Sequence, residues 1–325
     1  MKLNIEQIRS VAIGAVRVEE HDGLIRLYRF TKAQEDAYKP HSEDFWNKTF
    51  STAGIRLEFI TDSKTLGISA SVSSASSRKF FAIDVYANGE HVGRVGSDTE
   101  NCGTFEGSFE LGEGEKELAV YLPWSACAAL KEITLDDGAS LTPIEKSCRM
   151  IMFGDSITHG YDAKVPAASY ASIVADALDA NAVNKGIGGE KFFPELATLH
   201  DGFEPDIITV AYGTNDWSGN TLEVFERDSL AFYRNLSATY PKAKIFALAP
   251  IWRKDFDREN KKFEFSHVAE HFDRIAKELD NVTLINCYGF VPEDPELFSD
   301  KYLHPNDEGF SYYAEGLLTE LKKYL

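Results

Sequence analysis

Four groups of residues in the second half of the chain have the types and order of a nucleophilic hydrolytic site. Arg149-Met-Ile-Met-Phe-Gly-Asp-Ser-Ile-Thr-His-Gly160 reads as a short apolar strand that breaks at Gly154 into a polar turn. That places the Ser156 hydroxyl at the carboxyl end of a strand. In an open α/β sheet ligands bind outside those ends, where the amides of a helix start can stabilise negative charge. Gly-Asp-Ser is also an ordinary turn and cap sequence, so Ser156 needs partners before it means chemistry. His304 could act as its base, with Asp300 four residues earlier on the same loop to hold the ring. Two further loops, Asn184-Lys-Gly-Ile-Gly-Gly189 and Gly213-Thr-Asn-Asp216, offer donors for an oxyanion: a closely approaching glycine N–H and the Asn215 amide. Gly189, Gly188 and Gly186 share one loop and compete for the first role.

These residues need a scaffold, and the pattern around them supplies one. Strands are expected at Met150–Phe153, Ala182–Asn184, Asp206–Tyr212, Lys244–Ala249 and Val282–Asn286. Helices are expected near Ser169–Leu178, Leu222–Tyr240, Phe265–Leu279 and Asp307–Leu325. Continuous apolar strands interleaved with helices imply a parallel sheet covered on both faces. In the last helix Phe310, Ala314, Leu317, Leu321 and Tyr324 form the apolar stripe, and Asn306 or Asp307 caps it directly after His304-Pro305.

The first half reads differently. Segments at Leu24–Phe30, Gly54–Ile60, Leu66–Val72, Phe80–Tyr86, Thr104–Glu110 and Glu117–Leu122 are β-rich, and Asn88-Gly89 is a hairpin turn signal. With no convincing helix among them, they imply a jelly-roll-like β-sandwich, a structural support or one wall of a cleft. The division is expected as residues 1–146 and 147–325, joined by a short Pro-containing link.

Gly-Asp-Ser near a domain start, then Asn-x-x-x-x-Gly, Gly-Thr-Asn-Asp and His-Pro-Asn in that order, resemble the four blocks of the GDSL/SGNH hydrolase superfamily over residues 149–325. The resemblance implies a flavodoxin-like SGNH fold, Ser156 as nucleophile, His304 as general base, and the Ser156 N–H, Gly189 N–H and Asn215 side chain as the oxyanion hole. The family usually carries its acid three residues before the histidine. Here that position is Lys301 and the acid is Asp300, so either the loop absorbs one extra residue or the site is a Ser-His dyad. A β-domain directly ahead of Gly-Asp-Ser-Ile-Thr-x-Gly-Tyr161 is similar to the carbohydrate esterase family 2 arrangement. That implies an acetyl esterase acting on small acetylated carbohydrates, such as xylan or mannan fragments, with no cofactor or metal. Lipid or thioester hydrolysis on the same fold, or a non-catalytic glycan-binding protein, are the alternatives.

Composition sets limits on partners. The net charge of −18 is spread over both halves, with 23 acidic and 16 basic residues before Cys148 and 29 and 18 from there on. Without a basic face, nucleic acid and anionic membrane are poor partners. The oligomeric state stays open. Four scattered cysteines fit free thiols, and the charged N-terminus reads as cytoplasmic rather than as a signal peptide. His267-Val-Ala-Glu-His271 matches a zinc-protease pattern, but both histidines fall off the buried stripe of their helix, so a solvated face is expected. Tyr161, Trp217 and Trp252 lie near the expected rim, where they could stack on a sugar or pack into the core.

Overall fold

A computed structural model describes every residue, Met1–Leu325. The second half contains a five-stranded parallel sheet made of Cys148–Gly154, Ala180–Gly186, Ile207–Ala211, Lys244–Ala249 and Val282–Asn286. Its spatial order is second, first, third, fourth, fifth. The switch point of such a sheet lies beside its first strand. Ser156 follows that strand. Alternate residues of the strands feed two separate cores. Ile151, Phe153, Val210 and Ala247 point toward the helices Leu222–Thr239 and His267–Glu278. Met150, Met152, Phe246 and Leu248 point toward Tyr170–Ala177 and Asp307–Leu321. Phe310, Ala314, Leu317 and Leu321 form the expected stripe of the last helix, and Asn306 caps it by accepting from the Gly309 N–H. Tyr324 does not belong to that stripe. The helix has ended by then, and the ring is 44% exposed.

In the first half two antiparallel sheets enclose a third core that includes Leu57, Phe59, Ile68, Ile83, Leu118 and Leu130. All six expected strands form, and Asn88-Gly89 is the two-residue turn between Phe81–Ala87 and Glu90–Ser97, both residues having positive φ.

The expectation that this half lacks helices is wrong. Ile5–Val11, Lys32–His41 and Glu43–Thr49 are helical, the first two closed by capping boxes, Asn4 with Gln7 and Thr31 with Gln34. The second of these buries a polar face: Gln34, Glu35 and Tyr38. Gln34 reaches the Leu199 carbonyl, Glu35 pairs with Arg17, and the Tyr38 hydroxyl donates to Glu190. A helix buried on its polar residues has no apolar period to read.

The two halves are tied together at Arg29, whose side chain is fully buried. Nε donates to the Ser51 carbonyl (2.8 Å), Nη1 to the carbonyls of Asn184 (2.6 Å) and Gly186 (3.0 Å), and Nη2 to the Lys48 carbonyl (2.9 Å) and Ser51 Oγ (2.6 Å). All five guanidinium donors are thereby used. No carboxylate faces the charge, and burial lowers its pKa to about 9 against the pull of Tyr38, Glu190 and Tyr161. Phe30 and Tyr38 from the same segment join the core of the parallel-sheet half. Replacing Arg29 by Met removes the donor from five buried contacts across the two halves, so unfolding free energy should fall by about 3 to 5 kcal/mol. Urea unfolding of Arg29→Met and Arg29→Lys checks this, with the lysine variant intermediate.

Candidate active site

Ser156 opens a four-residue helix, Ser156–His159, directly after the first parallel strand. Asp155 caps it by accepting from the Ile157 N–H at 3.0 Å. The Ser156 N–H stands in the first turn, where no intrahelical acceptor exists. The Ser156 hydroxyl lies 2.9 Å from His304 Nε2, and His304 Nδ1 lies 2.7 Å from Asp300 Oδ2. The extra residue between acid and histidine is absorbed by Lys301, which adopts φ +59°. The turn is closed by Asp300 Oδ1, which accepts from the N–H groups of Tyr302, Leu303 and His304 at 2.9, 2.7 and 3.1 Å. Burial pushes the Asp300 carboxyl upward, but the bonds from the His304 ring and these amides outweigh it, and hold the group well below the usual carboxylate range.

The three candidate glycines separate by their surroundings. A Cβ on Gly186 would meet the His159 backbone at 2.2 Å, and one on Gly188 would meet the Tyr161 ring at 2.5 Å. Both are glycine because something packs against them. Gly189 has open space except for Phe45 at 3.7 Å, and its φ of +88° is what requires glycine. Its N–H donates to no protein acceptor. Asn215 stands in the short helix Thr214–Gly219 and uses one Nδ2 hydrogen on the Glu190 carbonyl at 3.0 Å, leaving the other free. Arg253, also buried, secures this loop by donating to the Thr214 carbonyl and hydroxyl.

Other expected residues sit elsewhere than a sugar-stacking rim. Trp217 is fully buried and donates to the Phe263 carbonyl at 2.9 Å, between Arg253 and Arg258. Trp252 is 5% exposed and packs on Phe298. Tyr161 is 4% exposed, wedged among Trp124, Arg78 and the His304 ring. Each ring is core, because these positions face inward beneath their loops. His271 likewise is buried rather than solvated: it is bonded to Ser229 at 2.9 Å, while His267 bonds Glu226 at 2.9 Å. The helix Leu222–Thr239 covers that side.

Several residues near the site gave no sequence signal of their own. Asp162 Oδ2 stands 3.7 Å from His304 Nδ1, too far for a hydrogen bond, and is held by Arg78 at 2.6 and 2.9 Å. Asp162, Asp300 and His304 could share a cation by spacing alone. Their hydrogen bonds already account for them. His159, inside the Gly-Asp-Ser motif, accepts from the Gly188 N–H at Nδ1 (3.2 Å) and has Nε2 2.9 Å from the Trp124 carbonyl oxygen, which fixes a neutral Nε2–H ring. Burial drives its pKa well below the ordinary value.

With this geometry in view, comparisons define the class and then the family. The sheet order, second, first, third, fourth, fifth, is that of a flavodoxin-like doubly wound α/β domain. Residues 152–311 match the GDSL-like lipase/acylhydrolase family, so this domain belongs to it and the chain is a carboxylic ester hydrolase. No curated protein matches the chain in sequence. Among solved structures it is similar to the salicylyl-acyltransferase SsfX3 from a tetracycline biosynthetic pathway, at TM-score 0.83 and 23% identity, covering 96% of this chain and 94% of that one. A family 2 carbohydrate esterase from Clostridium thermocellum in complex with cellohexaose aligns at 0.64 and 18%, covering 84% and 93%. An acetyl xylan esterase from Butyrivibrio proteoclasticus aligns at 0.60 and 17%, covering 83% and 90%. These likenesses concern the fold. No helix is long and apolar enough to cross a membrane.

Close to the Gly186–Gly189 loop lie three buried carboxyls. Burial raises Asp155 to about 6, Asp216 to about 7 and Glu190 to about 8. Glu190 accepts from the Tyr38 and Tyr212 hydroxyls. A group protonated in the folded chain but ionised in the unfolded one costs stability as pH rises between its two pKa values, at up to about 1.4 kcal/mol per pH unit. For Glu190 that window runs from 4.5 to about 8. Urea unfolding at pH 5, 6.5 and 8 should show wild-type stability falling along this series and Glu190→Gln falling less steeply. Equal slopes would remove Glu190 from the account.

Proposed function

We propose that the chain is a serine acetyl esterase that removes O-acetyl groups from small carbohydrates. The observation that supports it best is the continuous contact from Asp300 through His304 to Ser156, at 2.7 and 2.9 Å. Ser156 Oγ attacks the acetyl carbonyl carbon while its proton passes to His304 Nε2, and Asp300 stabilises the charged ring. The oxyanion is met by the N–H groups of Ser156 and Gly189 and by the Asn215 amide. Collapse breaks the ester bond, and His304 returns the proton to the departing sugar hydroxyl. Water then attacks the acyl-serine by the same route and releases acetate.

The carbohydrate reading draws on the architecture shared with an acetyl xylan esterase and with an esterase that binds cellohexaose. The acid surface, net −18, suits a neutral substrate. A second reading has its own support: the full-length likeness to a salicylyl-acyltransferase favours transfer of the acyl group to an alcohol other than water.

Ser156→Ala should abolish acetate release from 4-nitrophenyl acetate, and Asn215→Ala should lower kcat on the order of 10²- to 10³-fold. Asp300→Asn should cost on the order of 10²-fold or more, because the ring loses its fixed tautomer. Retained turnover in Ser156→Ala would end the serine-esterase reading, and little loss in Asp300→Asn would make the site a dyad. Acetate release across acetylated xylan, acetylated mannan and simple sugar acetates should exceed hydrolysis of long-chain acyl esters. Acyl transfer to added alcohol outrunning hydrolysis would favour the second reading.

A further inference from the structure

We infer that Lys48, from the first half of the chain, sets the orientation and donor strength of the Gly189 N–H, and so acts as a positioning residue for the oxyanion hole. The inference rests on the serine-esterase reading. Lys48 sits in the helix Glu43–Thr49 and is 8% exposed. Its ammonium donates to the Gly188 carbonyl oxygen at 2.9 Å. That oxygen and the Gly189 N–H belong to one peptide group. No peptide bond in the chain is cis. In a trans peptide the C=O and N–H point in opposite directions, so a cation fixed on the oxygen aims the N–H away from Lys48. The N–H reaches no protein acceptor, and the neighbouring Gly188 N–H is secured on His159 Nδ1 at 3.2 Å.

Two effects follow. The first is geometric. Glycines on both sides of this peptide make it easy to flip, and a flip would present the carbonyl oxygen to the oxyanion in place of the N–H. Flipping now requires the buried ammonium to give up one of its two protein acceptors, the other being Asp44, which is costly away from water. The second is electronic. The peptide C–N bond is conjugated, and a hydrogen bond at one end of an amide strengthens the bond formed at the other. A cation on the Gly188 oxygen draws density from the Gly189 nitrogen and makes its N–H a better donor to developing negative charge. Asp44 shares the ammonium from the solvent side, and the Phe45 ring lies 5.6 Å from it, shielding it next to the loop.

Lys48 touches neither substrate nor the reacting atoms in this account, so its signature lies in kcat. With 4-nitrophenyl acetate, Lys48→Met should lower kcat about tenfold, a fraction of the loss expected for removing a donor outright, with KM within about twofold of wild type. Lys48→Arg, which keeps a cation on the carbonyl, should recover most of that loss. Lys48→Gln, which can donate to Gly188 but carries no charge, should fall between, and it decides the matter if the methionine variant does not fold. Wild-type kcat in the neutral variants, a loss confined to KM, or a loss that arginine does not repair would overturn the role of Lys48. If Ser156→Ala is inactive and Asn215→Ala is strongly impaired in the same assays, such a result leaves the esterase reading standing. Activity surviving in Ser156→Ala would remove both.

Discussion

The arrangement depends on one buried cation. Arg29 lies between the strand Leu24–Tyr28 and the helices that follow it, and its five donors reach both the segment Lys48–Ser51 and the carbonyls of Asn184 and Gly186. A guanidinium without a carboxylate partner is expensive to bury, and only a full set of acceptors makes it tolerable. The positions of those acceptors are therefore mutually constrained. The end of the second parallel strand, which leads into the Gly186–Gly189 loop, cannot shift without uncoupling from the helix that carries Lys48.

This constraint explains why the first half is more than a support. The helices Lys32–His41 and Glu43–Thr49 place Tyr38 on Glu190, Lys48 on Gly188 and Phe45 beside Gly189. Ser51 and Trp124 grip His159 from the same side at 2.8 and 2.9 Å. The loop proposed to meet the oxyanion is thus held by its own sheet from below and by the other half of the chain from the side. Ser156, His304 and Asp300, by contrast, stand directly at the end of the first parallel strand and in the loop that enters the last helix.

That difference decides what could be read from the sequence. The strand-turn-helix at Ser156 and the histidine before the last helix carry local signals, apolar runs, a cap and an N-terminal turn, and the strands that place them were legible for the same reason. The Asp300 contact required Lys301 to turn with φ +59°, which no residue type announces. The missing helices were hidden because Gln34 and Glu35 are buried through hydrogen bonds rather than hydrophobicity. Arg29 and Lys48 look like surface charges until their acceptors are known, and these include the backbone carbonyls of Asn184, Gly186 and Gly188, more than a hundred positions away. For Trp217, Tyr161 and Trp252 the sequence left stacking and core packing open, and burial decides for packing, since a loop-rich rim must be filled from beneath.

The charges around the Gly186–Gly189 loop follow the same logic. Burial is the larger cause of the raised pKa of Asp155, Glu190 and Asp216, and the charge of Asp155 adds to it at both Asp216 and Glu190. Were all three ionised, they would oppose negative charge developing on the substrate in the low dielectric beneath Ser156. Burial instead keeps Glu190 largely protonated at neutral pH, and its hydroxyl partners Tyr38 and Tyr212 can satisfy it in that form. The cations Arg29, Lys48 and Arg253 meanwhile each end on backbone carbonyls of the loops that carry the donors. Lys48 also pairs with Asp44 and Arg253 with Asp255, so of the three only Arg29 has no carboxylate partner to offset its field. Arg29 ends on four carbonyls and one hydroxyl, which leaves its positive potential unpaired behind the Gly186–Gly189 loop, the side on which the proposed oxyanion would form.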